Sequence, residues 1–91
     1  MKKRYHVVIH GRVQGVMFRH NMAKIAEKAN VKGWVRNNPD GSVEAVFEGE
    51  EEDIEKVINW CRKGPIGSKI EKAEVKEEEF KDEFEAFYIT V

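Results

Sequence analysis

The stretch Gly11-Arg12-Val13-Gln14-Gly15-Val16-Met17-Phe18-Arg19 stands where one backbone pattern gives way to another. The apolar run from Tyr5 to Ile9 leads into it, and the residues from about 5 to 13 predict a strand. Beyond it, apolar residues recur at helical spacing and predict a helix from about Arg19 or His20 to Ala29. The two glycines and Arg19 therefore mark a junction between a strand and a helix.

A glycine-containing junction of this kind is suited to anion binding. The first N–H groups of a helix have no partner inside it, and the helix dipole favours negative charge there. Gly15 lets several N–H groups converge, and Arg19 adds a planar fork that matches phosphate oxygens. A positive charge at a helix N-terminus is unfavourable unless an anion is bound. A simple turn remains the alternative, and neither the Walker pattern nor the dinucleotide fingerprint fits these glycines.

The composition of the chain excludes several classes of protein. Ninety-one residues, 41% of them hydrophobic, predict one domain over 1–91 with no membrane span. The start is basic but leads into no long apolar run, so we expect no signal peptide and a cytoplasmic protein. The 16 basic and 17 acidic residues give a net charge of −1, which offers no general attraction to nucleic acid or acidic membrane. Their abundance favours surface ion-pair networks and hence a thermostable protein.

Three reactive side chains lie outside the opening stretch, and each is predicted to have a structural role. Cys61 is in phase with Ile54 and Val57 on a helix, so we expect a buried thiol. His6 and His10 share one face of the first strand, with no carboxylate or thiol accompanying them, whereas zinc prefers three or four ligands. We therefore predict surface histidines, no metal site and no cofactor.

The rest of the chain alternates strand and helix patterns. Gly49 is predicted to end a β-hairpin whose turn contains Pro39 and Gly41, and Trp34 is predicted to lie in the core. Gly64 is predicted to cap the second helix. The predicted elements are a strand over 33–38, a turn over 39–42, a strand over 43–48, a helix with an acidic first turn over 50–53, a strand from about 70 to 79, a turn over 81–83 and a strand over 84–91.

This order of elements predicts an α+β fold. The β-α-β-β-α-β series is that of the ferredoxin-like sandwich, an antiparallel sheet with two helices on one face, here with an extra C-terminal strand. Right-handed crossovers place the first strand in the centre of the sheet. The loop that follows this strand can then lie close to the far end of the strand over 34–38.

Two blocks of the sequence resemble the signatures of the acylphosphatase family. Gly11–Arg19 is similar to Gly-x-Val-Gln-Gly-Val-x-Phe-Arg, and Gly33–Glu44 is similar to Gly-Trp-Val-x-Asn-x-x-Asp-Gly-x-Val-Glu. The stretch Gly64–Lys69 resembles the family's connector, although Ile66 stands where a second proline is more usual. Asn30 also stands where glycine is common. The likeness covers nearly the whole chain in order.

The resemblance implies a function and a set of site residues. The family hydrolyses acyl phosphates to a carboxylate and inorganic phosphate, without metal and without a covalent intermediate. By the matching positions, Arg19 would bind the phosphate and Asn37 would orient the attacking water. The backbone N–H groups of the loop would cradle the phosphate; they belong to Gly15, Val16, Met17, Phe18 and Arg19.

The chemistry of these residues is compatible with that function. A neutral amide such as Asn37 can hold a water through one donor and one acceptor, although a turn residue is the alternative interpretation of this asparagine. No acid–base pair is apparent beside it, which favours a substrate whose leaving carboxylate departs without a proton. Two other functions stay open, an RNA-binding module on the same fold and a regulatory domain without turnover. We expect a monomer that acts on a small-molecule acyl phosphate and binds no nucleic acid.

Overall fold

The structure, a computed structural model, describes residues 1–90 and contains seven elements in the predicted order. They are strand β1 (Lys2–Arg12), helix α1 (Phe18–Lys28), strand β2 (Lys32–Asn37), strand β3 (Val43–Glu50), helix α2 (Glu51–Lys63), strand β4 (Lys69–Glu78) and strand β5 (Phe87–Ile89). The prediction that Val91 continues the last strand lies outside the described residues. The α+β, ferredoxin-like fold is confirmed.

The five strands form one sheet in the order β4-β1-β3-β2-β5. The first four strands pair in antiparallel fashion, whereas β5 runs parallel to β2, so the sheet is mixed rather than wholly antiparallel. The reason lies in the connection over 79–86, which leads from β4 at one edge to β5 at the other. The chain crosses the end of the sheet at which β2 begins, and it then runs alongside β2 in the same direction.

Both helices cover one face of the sheet and enclose one apolar core. Alternate residues of the inner strands, such as Ile9, Val35 and Phe47, are buried against the apolar stripes of α1 and α2. The rings of Phe18 and Trp60 meet edge to face with centroids 5.2 Å apart, which ties α1 to α2. Burying Phe47 contributes several kcal/mol, since removing a buried phenylalanine side chain costs about 3–5 kcal/mol.

Several element ends differ from their predicted positions. Helix α1 begins at Phe18, and Asn30, which stands where glycine is common in the family, follows it with a positive φ of 58°. Gly49 does not end the hairpin, because β3 continues to Glu50, where it pairs with Lys2. Strand β5 spans three residues only, since the preceding segment crosses the end of the sheet instead of joining a ladder.

One prediction about an individual side chain is wrong, the premise of a second does not hold, and a third is confirmed. Trp34 is half-buried on the face away from the helices, with the Arg36 guanidinium 5.2 Å from its ring centre. Neighbouring strands do supply carboxylates to the histidines: His6 lies 2.6 Å from Glu44, and His10 is likewise paired across the ladder. Cys61 is buried as predicted, and burial raises the pKa of its thiol to about 12.

Candidate active site

The loop between β1 and α1 folds into a concave row of backbone N–H groups. Gly15 has a φ of 77° and Met17 a φ of 62°, whereas Val16 between them has no positive φ. Alternation of left-handed and right-handed residues turns successive N–H groups toward one point, which is the geometry of an anion-binding nest. A Cβ added at Gly15 would meet no atom within 4 Å, so glycine is required there by its backbone angle and not by crowding.

The N–H groups of this loop and of the first turn of α1 are unpaired. Within residues 1–90, none of the N–H groups from Gly15 to His20 donates to a backbone or side-chain acceptor. Met17 occupies the N-cap position without a side-chain hydrogen bond, and the first turn of α1 contains no acidic residue. Helix α2 differs, because three acidic residues occupy its own first turn. The positive end of α1 is therefore left for an external anion.

An open cleft of about 370 Å³ lies in front of this loop. It brings together most of the predicted site residues, and its lining consists of Val13, Gly15, Met17, Phe18, Arg19, His20, Asn37 and Ile89. Arg19 is half-buried and makes no hydrogen bond or ion pair within the described part of the chain. Val16 is absent from this lining, although its backbone belongs to the row of N–H groups. We refer to this recess as the anion cleft.

Asn37 lies at the end of β2 and reaches the anion cleft from the side opposite the loop. The last rungs of the sheet set its position, since Asn37 pairs with Val43 of β3 and Val43 pairs with Ile9 of β1. Its Oδ1 atom is buried and has no hydrogen-bond partner within residues 1–90. A buried polar atom is nearly always paired in a folded protein, so an unpaired one at a cleft indicates a functional acceptor.

A hydrogen-bonded tether joins the loop to the turn beside Asn37. The Nε2 atom of Gln14 donates to the carbonyl oxygens of Asn38, at 2.8 Å, and of Ser42, at 2.9 Å. The Ser42 hydroxyl accepts from Asn38 Nδ2 and donates to Asp40 Oδ1. The hydroxyl and the N–H of Ser42 both donate to this oxygen, and they hold the pKa of Asp40 below its ordinary value. Sequence reasoning assigned Gln14 no role, because its partners are 24 and 28 residues away.

Three residues that line the cleft were not predicted from the sequence: the buried Val13 and the exposed His20 and Ile89. His20 follows Arg19 and is exposed at the cleft, where it is a side chain that can exchange a proton. Ile89 of β5 forms an apolar wall, and it is about half exposed, at 47%. The adjacency of His20 to Arg19 was a usable signal. The position of Ile89 could not be read from the sequence, because it depends on the parallel pairing of β5 with β2.

Neither a metal site nor a membrane helix is evident in the described residues. Within residues 1–90, no three His, Cys, Asp or Glu side chains are grouped as ligands for a metal ion. No helix of the same range has the length and apolar character needed to cross a membrane.

Comparison with known proteins gives consistent results. A family model described as acylphosphatase matches residues 5–89. An acylphosphatase from Pyrobaculum calidifontis is 53% identical over 87 residues, covering 94% of this chain and 79% of that protein. An acylphosphatase from Syntrophobacter fumaroxidans is 49% identical over 89 residues, covering 98% of this chain and 92% of the relative. The crystal structure of acylphosphatase from Bacillus subtilis is similar with a TM-score of 0.94 at 33% identity, and it covers both chains completely.

Proposed function

The chain belongs to the acylphosphatase family, and we propose that a water held by Asn37 attacks a phosphate bound by Arg19 and the loop backbone. As an acylphosphatase it hydrolyses acyl phosphates, the mixed anhydrides of a carboxylic acid and phosphate. The observation that carries the mechanism is that one cleft contains an arginine, a row of N–H groups and a buried amide oxygen, none of which has a partner within residues 1–90.

Phosphate binding is assigned to Arg19 and to the N–H groups of Gly15, Val16, Met17 and Phe18. Phosphoryl transfer depends mainly on positioning and on stabilising negative charge on the equatorial oxygens. The N–H row supplies fixed dipoles, and the guanidinium supplies a full charge with two parallel donors. None of these donors has to break a hydrogen bond with another described residue before it binds the phosphate.

Positioning of the attacking water is assigned to Asn37. Its side-chain amide, whose Oδ1 has no partner within residues 1–90, can hold the water through one donor and one acceptor and so direct an oxygen lone pair at phosphorus. The Gln14 tether holds the turn next to Asn37 against the phosphate loop, which keeps water and phosphate in register. Orientation of this kind supplies a large part of the acceleration in enzyme reactions.

The reaction needs no general acid from the protein. The water oxygen forms a bond to phosphorus while the bond from phosphorus to the acyl oxygen breaks, and the released electron pair stays on the carboxylate. That carboxylate is the conjugate base of an acid with a pKa near 4, so it leaves without a proton. The proton from the water passes to a phosphate oxygen of the substrate. Arg19 and the N–H row supply the positive charge, and we infer that no metal is required.

Hydrolysis of benzoyl phosphate in the presence of a chelator tests the mechanism. We expect turnover by the wild type, and a loss on the order of a hundredfold or more in Arg19→Ala and in Asn37→Ala, since each removes one preorganised group. Arg36→Ala is the matched control, because Arg36 is an exposed arginine paired with Glu44 outside the anion cleft. Turnover that is indifferent to Arg19, or that stops when metal is chelated, would overturn the proposal.

The remaining predictions from the sequence stay proposals. We infer that residues 1–91 act as one domain, in keeping with the single core, and that the protein is a cytoplasmic monomer that binds no nucleic acid. A filter-binding assay with labelled RNA tests the RNA-binding alternative. We also infer thermostability from ion-pair networks such as that of Arg4 with Glu48, Glu78 and Glu83. A melting temperature below about 60 °C would contradict that inference.

A further inference from the structure

A second cleft, of about 540 Å³, borders the anion cleft. It lies between α1 and the connector that follows α2, and Met17 lines both recesses. We call it the connector cleft; its lining consists of Val16, Met17, Asn21, Lys24, Ile25, Lys28, Trp60, Pro65 and Ile66. Asn37 lines the anion cleft but not the connector cleft. The two recesses therefore meet at Met17, on the part of the loop that lies away from the attacking water.

The packing of the fold does not explain why Met17 and Ile66 are exposed at this cleft. Met17 has a left-handed backbone, which is costly for a residue with a side chain, and 63% of its surface is exposed. Ile66 is completely exposed at the opposite wall of the connector cleft. Neither side chain belongs to the apolar core, so neither gains the stabilisation that burial gives. Both therefore remain available to contact an apolar ligand group.

The rim of the connector cleft is positively charged. Lys24 and Lys28 lie four residues apart on the same side of α1, and no acidic side chain lines the cleft. Within residues 1–90 neither lysine pairs with a carboxylate. Lys24 is seven residues beyond Met17, which places it about 10 Å further along the helix axis.

The geometry of phosphoryl transfer directs the acyl group toward this cleft. In an in-line displacement the leaving oxygen departs on the side opposite the attacking water. With the water held by Asn37, the acyl group points away from β2. The connector cleft is the recess that adjoins the phosphate loop without including Asn37.

We propose that the connector cleft binds the acyl part of the substrate and selects extended apolar acyl groups that end in an anionic group. This inference rests on the proposed function, because it takes the position of the phosphate and of the water from it. Met17 and Ile66 contact the apolar chain, and Lys24 attracts the distal anion. The preferred substrates are thus monophosphates of medium-length dicarboxylic acids, ahead of compact acyl phosphates.

Three substrates of defined length and charge test this preference. We expect kcat/KM to rise from acetyl phosphate to octanoyl phosphate, and again to the monophosphate of octanedioic acid. Ile66→Ser should lower the octanoyl-to-acetyl ratio about fivefold through lost apolar contact, while hydrolysis of acetyl phosphate is unchanged. Lys24→Ala should lower the ratio of the dicarboxylic to the octanoyl substrate about threefold. Val75→Ser and Lys56→Ala are the matched controls, an exposed apolar residue and an exposed lysine outside the cleft.

The outcomes separate this inference from the proposed mechanism. Equal kcat/KM values for the three substrates in an otherwise active enzyme overturn the inference alone. Equal changes of these kcat/KM ratios in the control variants overturn it as well, and would indicate that the exposed Met17 and Ile66 contact a protein partner instead. Titration with octylphosphonate and methylphosphonate, followed by intrinsic fluorescence, measures the same preference without turnover; equal affinities for the two would overturn the inference even in an inactive preparation.

Discussion

Two arginines lie near opposite ends of the sheet, and their surroundings differ. Arg4 near the start of β1 is 7% exposed and bonds three carboxylates, those of Glu48, Glu78 and Glu83. Glu48 is itself buried and accepts the N–H groups of Lys81, at 2.8 Å, and Glu83, at 3.2 Å. Arg19, beyond the far end of the same strand, has no partner among residues 1–90.

The difference separates a structural segment from the loop proposed to be catalytic. At the Arg4 end, the polar groups fix the segment over 79–86 to the sheet, so that β5 reaches its place beside β2. At the Arg19 end, donors and a buried acceptor are held in place by other residues and have no partner in the described part of the chain. Ion pairs and hydrogen bonds that are complete within the chain stabilise it, whereas preorganised groups without partners are available to a ligand.

The largest effect is expected at the Arg4 end, on stability alone. Glu48→Ala leaves two backbone N–H groups without an acceptor and removes one of the three carboxylates that pair with the buried Arg4 guanidinium, so the free energy of unfolding should fall by about 3–5 kcal/mol. Urea denaturation measures this change. The exposed Glu77, paired with Lys3, is the control, and Glu77→Ala should cost less than about 1 kcal/mol. Equal losses of unfolding free energy in the two variants would show that the polar groups around Arg4 do not anchor the segment over 79–86.

A smaller effect, on both stability and activity, is expected for the Gln14 tether that joins the two sides of the site. Gln14→Ala removes both hydrogen bonds from the loop to the turn and should cost about 1–2 kcal/mol of stability. Because Asn37 then loses its register with the phosphate, we expect kcat to fall about tenfold or more. Tyr5→Phe removes a hydrogen bond to Glu51 near the Arg4 end, and it should leave kcat unchanged. An unchanged kcat in Gln14→Ala would count against a positioning role.

Acidic pH should measurably reduce the stability that the Arg4 end contributes to the fold. Burial by itself raises the pKa of Glu48, but the two N–H donors and Arg4 outweigh burial and hold the pKa below its ordinary value of 4.5. The unfolded chain then takes up a proton at a higher pH than the folded chain does. The stabilisation is therefore complete above about pH 4.5 and is lost as the pH falls through the lower, folded value. Melting temperatures should drop below pH 4.5 in the wild type and drop less steeply in Glu48→Gln.

The smallest effect on activity is expected for substitution of His20. It is exposed at the anion cleft, yet the leaving carboxylate needs no proton. His20→Asn should therefore change kcat/KM for benzoyl phosphate by less than about twofold. A pH–rate profile with a step that disappears in this variant would instead identify His20 as a general acid or base.

The sequence was sufficient for the parts of the molecule that depend on local pattern. The order of strands and helices, the buried Cys61 and the approach of Asn37 to the loop all follow from periodicity, turn residues and crossover handedness. The tether from Gln14, the Arg4 cluster and the wall formed by Ile89 could not be predicted. All three arise from residues far apart in the chain. The position of Ile89 also depends on the parallel β5, whose pairing leaves no periodic signal in three residues.

A crossed comparison of the two arginines tests the central claim most directly. Melting temperature and metal-free hydrolysis of benzoyl phosphate would be measured for Arg4→Met and Arg19→Ala. We predict that Arg4→Met lowers the melting temperature by more than about 10 °C and keeps kcat/KM for the folded enzyme near the wild-type value. Arg19→Ala should keep the melting temperature and lose about a hundredfold or more in kcat/KM. Loss of activity in Arg4→Met at a temperature where it is folded, or full activity in Arg19→Ala, would contradict the account.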